Sequence, residues 1–294
     1  MIEIKISELP EKFMIGGHIS AAGGVEAAPE RASIFGFRTF QFFTKNQMRW
    51  VSLPLKQEQI NDFRENIKKY AIKSTMAHAS YLLNLGSSDP DLRKKSINGL
   101  QDEVNRCNEL GVSFLTVHPG SAKDRDAGIK LVNDALQHID TGNTFVLIEN
   151  MAGQGNVLGS TLQELGKIID GLPGNFGICI DTCHAWAAGY DIKSRDGYQN
   201  FMDEAEETFG LEKIHGFHLN DSKGKIGSRL DRHELIGLGF IADGLYNVIT
   251  DDRFANSPKI METPEGEAGY MENLERIREM LVRSKERNFS DNDR

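Results

Sequence analysis

The sequence predicts an α/β fold in which eight parallel strands close into a (β/α)8 barrel. Three observations lead to this prediction: eight short apolar runs, an amphipathic segment after each run, and polar residues at the ends of the runs. In such a barrel the C-terminal ends of all strands open onto one face, and the active site lies there. The predicted strands are Phe13–His18, Thr39–Thr44, Ser74–His78, Phe114–His118, Phe145–Glu149, Phe176–Asp181, Ile214–His218 and Pro258–Glu262.

A segment with helical periodicity follows each run. In the second segment, Ile60, Phe63 and Ile67 recur at the spacing of one helix face. Gly111 and Gly210 directly follow two of these segments, and glycine is typical of helix ends. The predicted helices are Val25–Phe35, Glu58–Tyr70, Asp89–Leu110, Asp124–His138, Thr161–Gly171, Gln199–Phe209, Ala242–Thr250 and Tyr270–Ser284.

The regular alternation of strand and helix distinguishes a closed barrel from its main alternative. Strand followed by helix, repeated eight times, gives parallel strands with right-handed crossovers. An open, doubly wound sheet has the same alternation, but it binds ligands at a single switch point. Here, metal-binding residue types end nearly every strand. The closed barrel therefore explains the pattern better.

The barrel is expected to occupy residues 13–284 as one domain. About 250 residues are typical of this fold, and no linker or low-complexity segment interrupts the range. Residues 1–12 form an N-terminal extension, in which Ile2, Ile4 and Ile6 alternate as in a short strand. Residues 285–294 are polar and lack apolar periodicity, so a disordered tail is expected there.

The composition is that of a globular protein inside the cell. Of the 294 residues, 39% are hydrophobic and 26% are charged. No apolar run approaches the roughly 18 residues of a membrane span, and the N-terminus lacks a signal-peptide core. Three cysteines, Cys107, Cys179 and Cys183, make an odd number and are expected to be reduced packing residues. We expect a cytoplasmic protein that does not bind membranes.

The charge balance restricts the kind of nucleic-acid contact the protein can make. A net charge of −9 argues against a broad basic surface. Three divalent cations would bring this value to −3, with all the added charge in the site. A nucleic-acid partner is therefore compatible with the sequence if metal ions set the local charge.

The polar strand ends predict a metal centre. They supply His18, His78, His118, Glu149, Asp181, His218 and Glu262. A single histidine at a strand end is more often a packing or hydrogen-bonding residue. Imidazoles and carboxylates converging on one face, however, form the ligand set of zinc and similar ions.

Two local pairs extend this set. Asp181 and His184 are three residues apart, so both can face one pocket from a strand end and the turn that follows it. Asp231 and His233 are two residues apart, which places both on one side of an extended chain. The second pair lies in a long loop after Ile214–Asp221, and long loops in compact domains are usually functional.

These residues lie in segments that resemble the endonuclease IV family of apurinic/apyrimidinic (AP) endonucleases. CIDTCHAWAAGYD and SRLDRH are very specific matches, whereas HPGS alone would be weak. The matching segments occur in order over residues 14–265: GGHISAAGG (16–24), FFTKNQ (42–47), HASYLLNLGS (78–87), HPGS (118–121), IENMAGQG (148–155), CIDTCHAWAAGYD (179–191), HLNDSK (218–223), GSRLDRHELIGLG (227–239) and METP (261–264).

The resemblance implies a TIM (β/α)8 barrel with three Zn²⁺ ions and no organic cofactor. A further alternative is Mn²⁺ or another divalent ion at one of the sites. The nine implied ligands are His78, His118 and Glu149 for the first ion, Glu149, Asp181, His218 and Glu262 for the second, and His184, Asp231 and His233 for the third. Glu149 would bridge the first two ions. His18 is expected to support a ligand rather than to be one.

The activity implied is base excision repair. The family cleaves the phosphodiester 5′ to an abasic site in duplex DNA and leaves a 3′-hydroxyl and a 5′-deoxyribose phosphate. Trimming of blocked 3′ ends is a further activity of family members. Glu149 and Glu262 are the residues expected to orient or deprotonate the attacking water.

The resemblance also implies that loops insert side chains into the duplex. The candidate DNA contacts are Lys45, Asn46, Gln47, Met48, Arg49, Tyr81, Lys223, Arg229 and Arg232. Met48-Arg49 departs from the usual Arg-Gln, Ala79 replaces an acidic residue, and Leu238 replaces another. An apolar Met48 can still wedge between bases. The identity of the inserted residue stays open.

Two alternatives share the architecture. A metal-dependent sugar isomerase or epimerase uses one or two metals, so the group formed by His184, Asp231 and His233 would be surplus. A non-catalytic DNA-damage-binding or metal-binding barrel would not need all nine matching groups. The partner expected is double-stranded DNA with abasic sites, bound in the nucleoid by a monomer.

Overall fold

Eight parallel strands form the barrel in a computed structural model of the chain. The structure describes residues 5–292, with side chains described for residues 5–284. The strands are β1 Ile15–Gly17, β2 Thr39–Phe42, β3 Ser74–His78, β4 Phe114–Val117, β5 Phe145–Glu149, β6 Phe176–Asp181, β7 Ile214–His218 and β8 Lys259–Met261. Each predicted run contains one of them, and the observed strands begin or end up to two residues inside the predicted limits.

The barrel closes at β1, which pairs with β8 on one side and is bridged to β2 on the other. The hydrogen-bonded order is β1-β8-β7-β6-β5-β4-β3-β2, and every pairing is parallel. A parallel bridge joins His18 to Gln41, and the Ile19 amide donates to the Gln41 carbonyl at 2.7 Å. This bridge connects the ends of β1 and β2. The open-sheet alternative is therefore wrong.

Alternation along the strands brings the candidate ligands to one level. The side chains of Met76, Leu147, Cys179 and Ile260 fill the inside of the barrel, where they pack together and are fully buried. Side chains two residues apart on a strand point to the same side. His78, Glu149, Asp181 and Glu262 are each two residues beyond one of these four. The pleat therefore carries them to the C-terminal mouth of the barrel.

Helices surround the barrel in the predicted order. They are α1 Leu9–Lys12, α2 Ala28–Ile34, α3 Gln57–Lys69, α4 Pro90–Leu110, α5 Arg125–Leu136, α6 Leu162–Ile169, α7 Thr182–Ala188, α8 Arg195–Phe209, α9 Leu245–Ile249 and α10 Tyr270–Asn292. Helix α4 shows why the boundaries lie where they do. Asp89 accepts the amides of Asp91 and Leu92 at its start, and Gly111 adopts the left-handed conformation at its end.

Helix α7 is not among the predicted helices. It begins directly after β6, because the Asp181 carboxylate accepts the His184 amide at 2.7 Å and caps the first turn. The loop after β7 contains a short antiparallel hairpin, Asp221–Ser222 with His233–Glu234. None of the helices in the described range is long and apolar enough to cross a membrane.

The chain ends differ from the expectations. Ile6–Glu8 forms a 3-10 turn, so Ile6 is not part of a strand, and residues 1–4 lie outside the described residues. At the other end, α10 continues to Asn292 and thus extends into the segment for which a disordered tail was predicted. Residues 293–294 lie outside the described range.

A buried lysine fastens the bottom of the barrel where β1 and β8 meet. Lys259 Nζ donates to the carbonyls of Phe254, Ser257 and Phe13 at 2.7, 3.2 and 3.3 Å. Burial lowers the pKa of Lys259 to about 8. The three acceptors are the partners that a buried ammonium needs, and they join the start of β8 to the segment before β1.

Candidate metal centre

The nine predicted ligands converge at the C-terminal mouth of the barrel. Their potential ligand atoms form three groups, and within each group the atoms lie within 4.8 Å of one another. The groups are His78, His118 and Glu149; Glu149, Asp181, His218 and Glu262; and His184, Asp231 and His233, and a fourth combination, Asp181, Cys183 and His233, overlaps the last two. The structure therefore brings together the residues that the sequence predicts, in the predicted groupings.

Glu149 joins the first two groups through its two oxygens. Oε2 lies 3.3 Å from His78 Nε2 and 3.0 Å from His118 Nε2. Oε1 lies 2.9 Å from His218 Nδ1 and 3.3 Å from His184 Nδ1. This carboxylate is 1% exposed. A buried carboxylate that faces imidazoles on both sides has the geometry of a bridging ligand.

Asp181 connects the second group to the third. Its Oδ2 lies 4.0 Å from His218 Nδ1 and 3.6 Å from His233 Nε2. In the third group, Asp231 Oδ1 lies 3.3 Å from His184 Nε2 and 3.4 Å from His233 Nε2. All three groups therefore form one continuous pocket.

The donor set fits metal ions. His184 Nε2 and His233 Nε2 are buried without a hydrogen-bond partner among the described residues, and both are directed at Asp231. Buried polar atoms are normally paired. The other nitrogen of each ring is occupied: His184 Nδ1 contacts the Asn150 carbonyl at 2.9 Å, and His233 Nδ1 contacts the Glu262 carbonyl at 3.0 Å. Such outer contacts fix the ring orientation of a metal-binding histidine.

The electrostatics of the pocket are those of strongly coupled acids and imidazoles. Burial alone raises the pKa of Glu149, but His218, His118 and His184 together bring it well below its ordinary value. Burial alone lowers the pKa of His218, whereas Cys179, Glu262 and Glu149 raise it well above 6.5. Glu149 is therefore ionised, and a divalent cation can replace the proton that the imidazole of His218 shares with it.

Side chains behind the ligands were not among the predicted site residues. Gln41 is fully buried, and its amide donates to Glu262 Oε1 at 2.6 Å, while its Oε1 lies 2.8 Å from His218 Nε2. Asn220 donates to Asp181 Oδ2 at 2.7 Å and accepts the Glu262 amide at 2.8 Å. The signal for Gln41 was available, since it is a polar residue inside an apolar strand run.

His18 lies where a supporting residue is expected. Its Nδ1 is 3.0 Å from the Gln41 amide and 3.5 Å from Glu262 Oε1. It is not in any of the three groups of potential ligands. Because His18 and Gln41 both contact Oε1 of Glu262, they hold this carboxylate from the barrel side.

Two loops present exposed side chains beside the pocket. Met48 is 66% exposed and Tyr81 is 53% exposed. The Tyr81 ring packs against the rings of His78 and His118, with centroids 5.2 and 5.7 Å apart. Asn46 Oδ1 accepts the Met48 amide at 2.9 Å, which shapes the loop tip. Tyr81 therefore stands next to the first group, and both exposed side chains are free to meet a substrate.

Lys45 differs from the other predicted DNA contacts. Its side chain is 2% exposed, and Nζ lies 2.7 Å from Asp102 and 3.5 Å from Glu103. The ammonium is therefore held inside the protein by two carboxylates of α4. In this conformation the charge of Lys45 faces α4 rather than the surface, so the geometry gives no support to its predicted contact with a phosphate.

The predicted basic side chains beside the third group are exposed. Lys223, Arg229 and Arg232 are on the surface, and Arg232 Nη1 donates to the Asp231 carbonyl at 2.6 Å. Arg229 has a positive φ of 54°, and its amide donates to the Ala187 carbonyl at 2.9 Å. The exposed apolar residues Leu230 and Leu238 occur in the same loop.

Comparisons with known proteins agree with this architecture. A family described as a xylose isomerase-like TIM barrel matches residues 29–280. "Probable endonuclease 4" of Thermoplasma acidophilum is 55% identical over 274 residues, which cover 93% of this chain and 97% of that protein. Its counterpart of Thermoplasma volcanium is 52% identical over 276 residues, covering 94% and 98%.

A solved structure gives the same result. Endonuclease IV from Thermus thermophilus superposes with a TM-score of 0.82 at 34% identity, covering 92% of this chain and 99% of that one. Fold and site first define a TIM barrel of the xylose isomerase-like type with clustered metal-binding residues. With these relatives, the chain belongs to the endonuclease IV family. It is therefore an enzyme, a DNA-repair endonuclease of the AP class.

Proposed function

We propose that the chain hydrolyses the phosphodiester 5′ to an abasic site in duplex DNA and leaves a 3′-hydroxyl and a 5′-deoxyribose phosphate. The observation that carries this proposal is the third group, His184, Asp231 and His233, which adjoins the other two through Asp181. Three adjoining groups support cleavage of a phosphodiester, because both the attacking and the leaving oxygen then lie near cationic charge.

The residues would hold three Zn²⁺ ions, with Mn²⁺ or another divalent ion as an alternative at one site. His78, His118 and Glu149 form the first site, Glu149, Asp181, His218 and Glu262 the second, and the remaining three the third. When bound, such ions bring the pKa of coordinated water from about 16 toward 7 and act as Lewis acids. Five imidazoles and four carboxylates bring four negative charges against six, and the surplus suits an anionic phosphate.

Glu149 and Glu262 are the proposed catalytic carboxylates. Glu149 is directed between the first two groups, and Glu262 Oε2 lies 3.3 Å from His218 Nδ1. Burial alone raises the pKa of Glu262, but His218 and the hydrogen bond with His18 bring it well below its ordinary value. Glu262 is thus an ionised acceptor, 17% exposed and within reach of water, that can orient the nucleophile.

Loops around the pocket would bind the DNA. Met48 is suited to wedge between bases, and Tyr81 to stack beside the abasic sugar. Arg49, Lys223, Arg229 and Arg232 would bind phosphates, and Asn46 and Gln47 would shape or contact the strand. A cleft of about 710 Å³ between residues 18–25 and 43–59 borders this surface.

We further propose that the protein acts as a monomer inside the cell, on nucleoid DNA. Its three cysteines are free and buried, which suits a reducing compartment. The described rim side chains Met48, Tyr81, Leu230 and Leu238 are among the exposed large apolar residues, and binding to DNA would cover them.

The test is incision of a labelled duplex that carries one abasic-site analogue. Zinc-loaded protein, metal-stripped protein and zinc-loaded Asp231→Asn should be compared. A single nick 5′ to the lesion with an extendable 3′-hydroxyl, absent after stripping and strongly reduced in the variant, is expected. No nick by fully loaded protein, together with turnover of a ketose or aldose, would establish the sugar-isomerase alternative instead.

A further inference from the structure

We propose that Asp102, Glu103 and Arg106 of α4 act as positioning residues that couple the two DNA-facing loops and hold them in the conformation that binds an abasic duplex. The two loops are residues 44–53, after β2, and residues 79–84, after β3. The proposal rests on the proposed function, because it concerns the same DNA-binding surface. It also assigns a role to Lys45, whose ammonium faces α4 rather than solvent.

Glu103 contacts both loops at once. Its Oε2 accepts the Thr44 hydroxyl at 2.7 Å, and its Oε1 accepts the Ser80 amide at 3.2 Å. Lys45 Nζ lies 3.5 Å from the same Oε1. The side chain of Glu103 is 1% exposed. One buried carboxylate therefore fixes the start of the first loop and the start of the second.

Asp102 and Arg106 extend this contact along the first loop. Asp102 Oδ2 accepts from Lys45 Nζ at 2.7 Å and from Arg106 Nε at 3.1 Å. Arg106 Nη2 donates to the carbonyls of Ser52 and Leu53 at 3.2 and 2.8 Å. Residues 102, 103 and 106 fall on one side of a helix. One face of α4 thus contacts the first loop at its start, Thr44 and Lys45, and at its end, Ser52 and Leu53. This loop carries Met48 and Arg49.

A direct bond completes the link between the loops. The Ser80 hydroxyl donates to the Gln47 carbonyl at 2.6 Å, next to Met48. Tyr81 follows Ser80 in the chain. A shift of Glu103 would therefore reach both the proposed wedge and the proposed stacking residue.

The energetics favour a role in conformational specificity. A buried ion pair contributes little net stability compared with apolar residues of the same shape, because desolvation offsets the attraction. The network does fix donor and acceptor directions. Loops that are ordered before binding do not have to be ordered by the DNA, and affinity is higher for that reason. The expected signature of its loss is a raised Kd and KM with little change in the rate of the bound complex.

The experiment compares Glu103→Gln, Lys45→Met and Lys45→Arg with the wild type. Glu109→Gln, an exposed change on the same helix, is the matched control. Four properties are measured: amide hydrogen exchange of residues 44–53 and 79–84 without DNA, bound zinc, Kd for a duplex with an uncleavable abasic analogue, and single-turnover incision at saturating DNA.

We expect Glu103→Gln and Lys45→Met to accelerate exchange in both loops together and to raise Kd about tenfold. Zinc content should be unchanged and the saturating incision rate should change less than about threefold. Lys45→Arg should restore most of the affinity, and Glu109→Gln should match the wild type. Wild-type exchange and Kd in Glu103→Gln and Lys45→Met would overturn the proposal, as would faster exchange confined to one loop.

The outcomes separate this proposal from the proposed function. If wild-type protein fails to bind or cut the abasic duplex, the proposed function fails, while hydrogen exchange still decides whether the loops are coupled. If Glu103→Gln does not fold, Asp102→Asn replaces it, since that side chain is partly exposed and asparagine keeps its shape. An unaltered Kd in a folded Asp102→Asn protein with wild-type exchange would then count against the coupling.

Discussion

The centre and the rim of the C-terminal face are built from different parts of the chain. At the centre, six of the nine side chains lie at the ends of barrel strands, where neighbouring strands fix their positions, and His184, Asp231 and His233 come from α7 and the loop after β7. Glu149, Asp181 and His218 there are 1% exposed or less. At the rim, side chains come from loops, and Met48 and Tyr81 are more than half exposed. The centre is thus buried and polar, whereas the rim is exposed and partly apolar.

This difference teaches where each property of the enzyme resides. Chemistry requires charged groups at fixed distances in a low-dielectric pocket, which strand ends supply. Recognition of a distorted duplex requires side chains that can enter it, which loops supply. Changes at the centre should therefore alter catalysis and metal content, and changes at the rim should alter affinity.

Removal of metal should give the largest effect. Stripping with a chelator is expected to abolish incision and to lower Tm by about 10 °C, because ions that bind only the folded state add several kcal/mol to its stability. Calorimetry of stripped and zinc-restored samples is the measurement. Equal Tm values for stripped and zinc-restored protein would show that the ions do not stabilise the folded state. The centre would then not be the metal-binding region that the comparison with the rim requires.

The same experiment has a defined pH dependence. Without metal, the raised pKa values of His184 and His218 stabilise the protein below pH 6.5, and that stability is lost as the pH rises through the raised values. Metal binding needs neutral imidazole and strengthens with pH. The Tm difference between loaded and stripped protein should therefore grow as the pH rises above 6.5.

Glu262→Gln should reduce turnover next most strongly. The amide cannot accept a proton or carry the negative charge, so incision should fall about a thousandfold while the fold is retained. Steady-state kinetics and circular dichroism provide the measurements. Glu265→Gln, an exposed change on the same loop, is the control and should be near wild type. Turnover by Glu262→Gln close to that of the control would refute its catalytic role.

Asp231→Asn tests the third group by itself. We expect two zinc ions per chain in place of three, and incision lower by on the order of a hundredfold. Elemental analysis of purified protein gives the metal content directly. Three retained ions with unchanged incision would show that the imidazoles of His184 and His233 are not paired with Asp231 around a metal.

Met48→Ala should give the smallest effect and the one specific to the rim. Loss of the apolar contact that Met48 would make with the DNA bases costs about 1 kcal/mol of binding free energy, or roughly a fivefold rise in Kd for the abasic duplex. The metal content should be unchanged. Fluorescence anisotropy with an uncleavable analogue measures it. Ile34→Ala, at a residue that is 73% exposed on α2, is the control. A Met48→Ala variant that loses zinc would erase the distinction between centre and rim.

The centre could be predicted from the sequence because local rules determine it. Period-two alternation identifies the inward positions of each strand, and parallel strands bring their ends to one face. Asp181 and His184 are predicted together because a strand end and the first turn after it can face one pocket, and the structure adds that Asp181 caps this turn. The resemblance to a known family then assigned the three groups.

The rim could not be predicted as well because distant parts of the chain determine it. The sequence around Lys45 gives a positive charge in a DNA-facing loop, but its partners Asp102 and Glu103 lie more than fifty residues away on α4. The polar Gln41 stands out in an apolar strand run, but its partners, like those of Asn220, do not follow from the sequence. Their roles depend on which ligand each amide reaches across the barrel, and spacing does not carry that information.

The pairing of β1 with β8 has a consequence for folding during synthesis. Residue 15 pairs with residue 259, so the barrel can close only after residue 259 has been synthesised. Contacts between such distant residues form late, because loop closure costs entropy before the pairing returns free energy. Glu262 lies one residue beyond β8. A nascent chain can bring His78, His118 and Glu149 together early, but the metal centre is complete only when β8 joins the barrel.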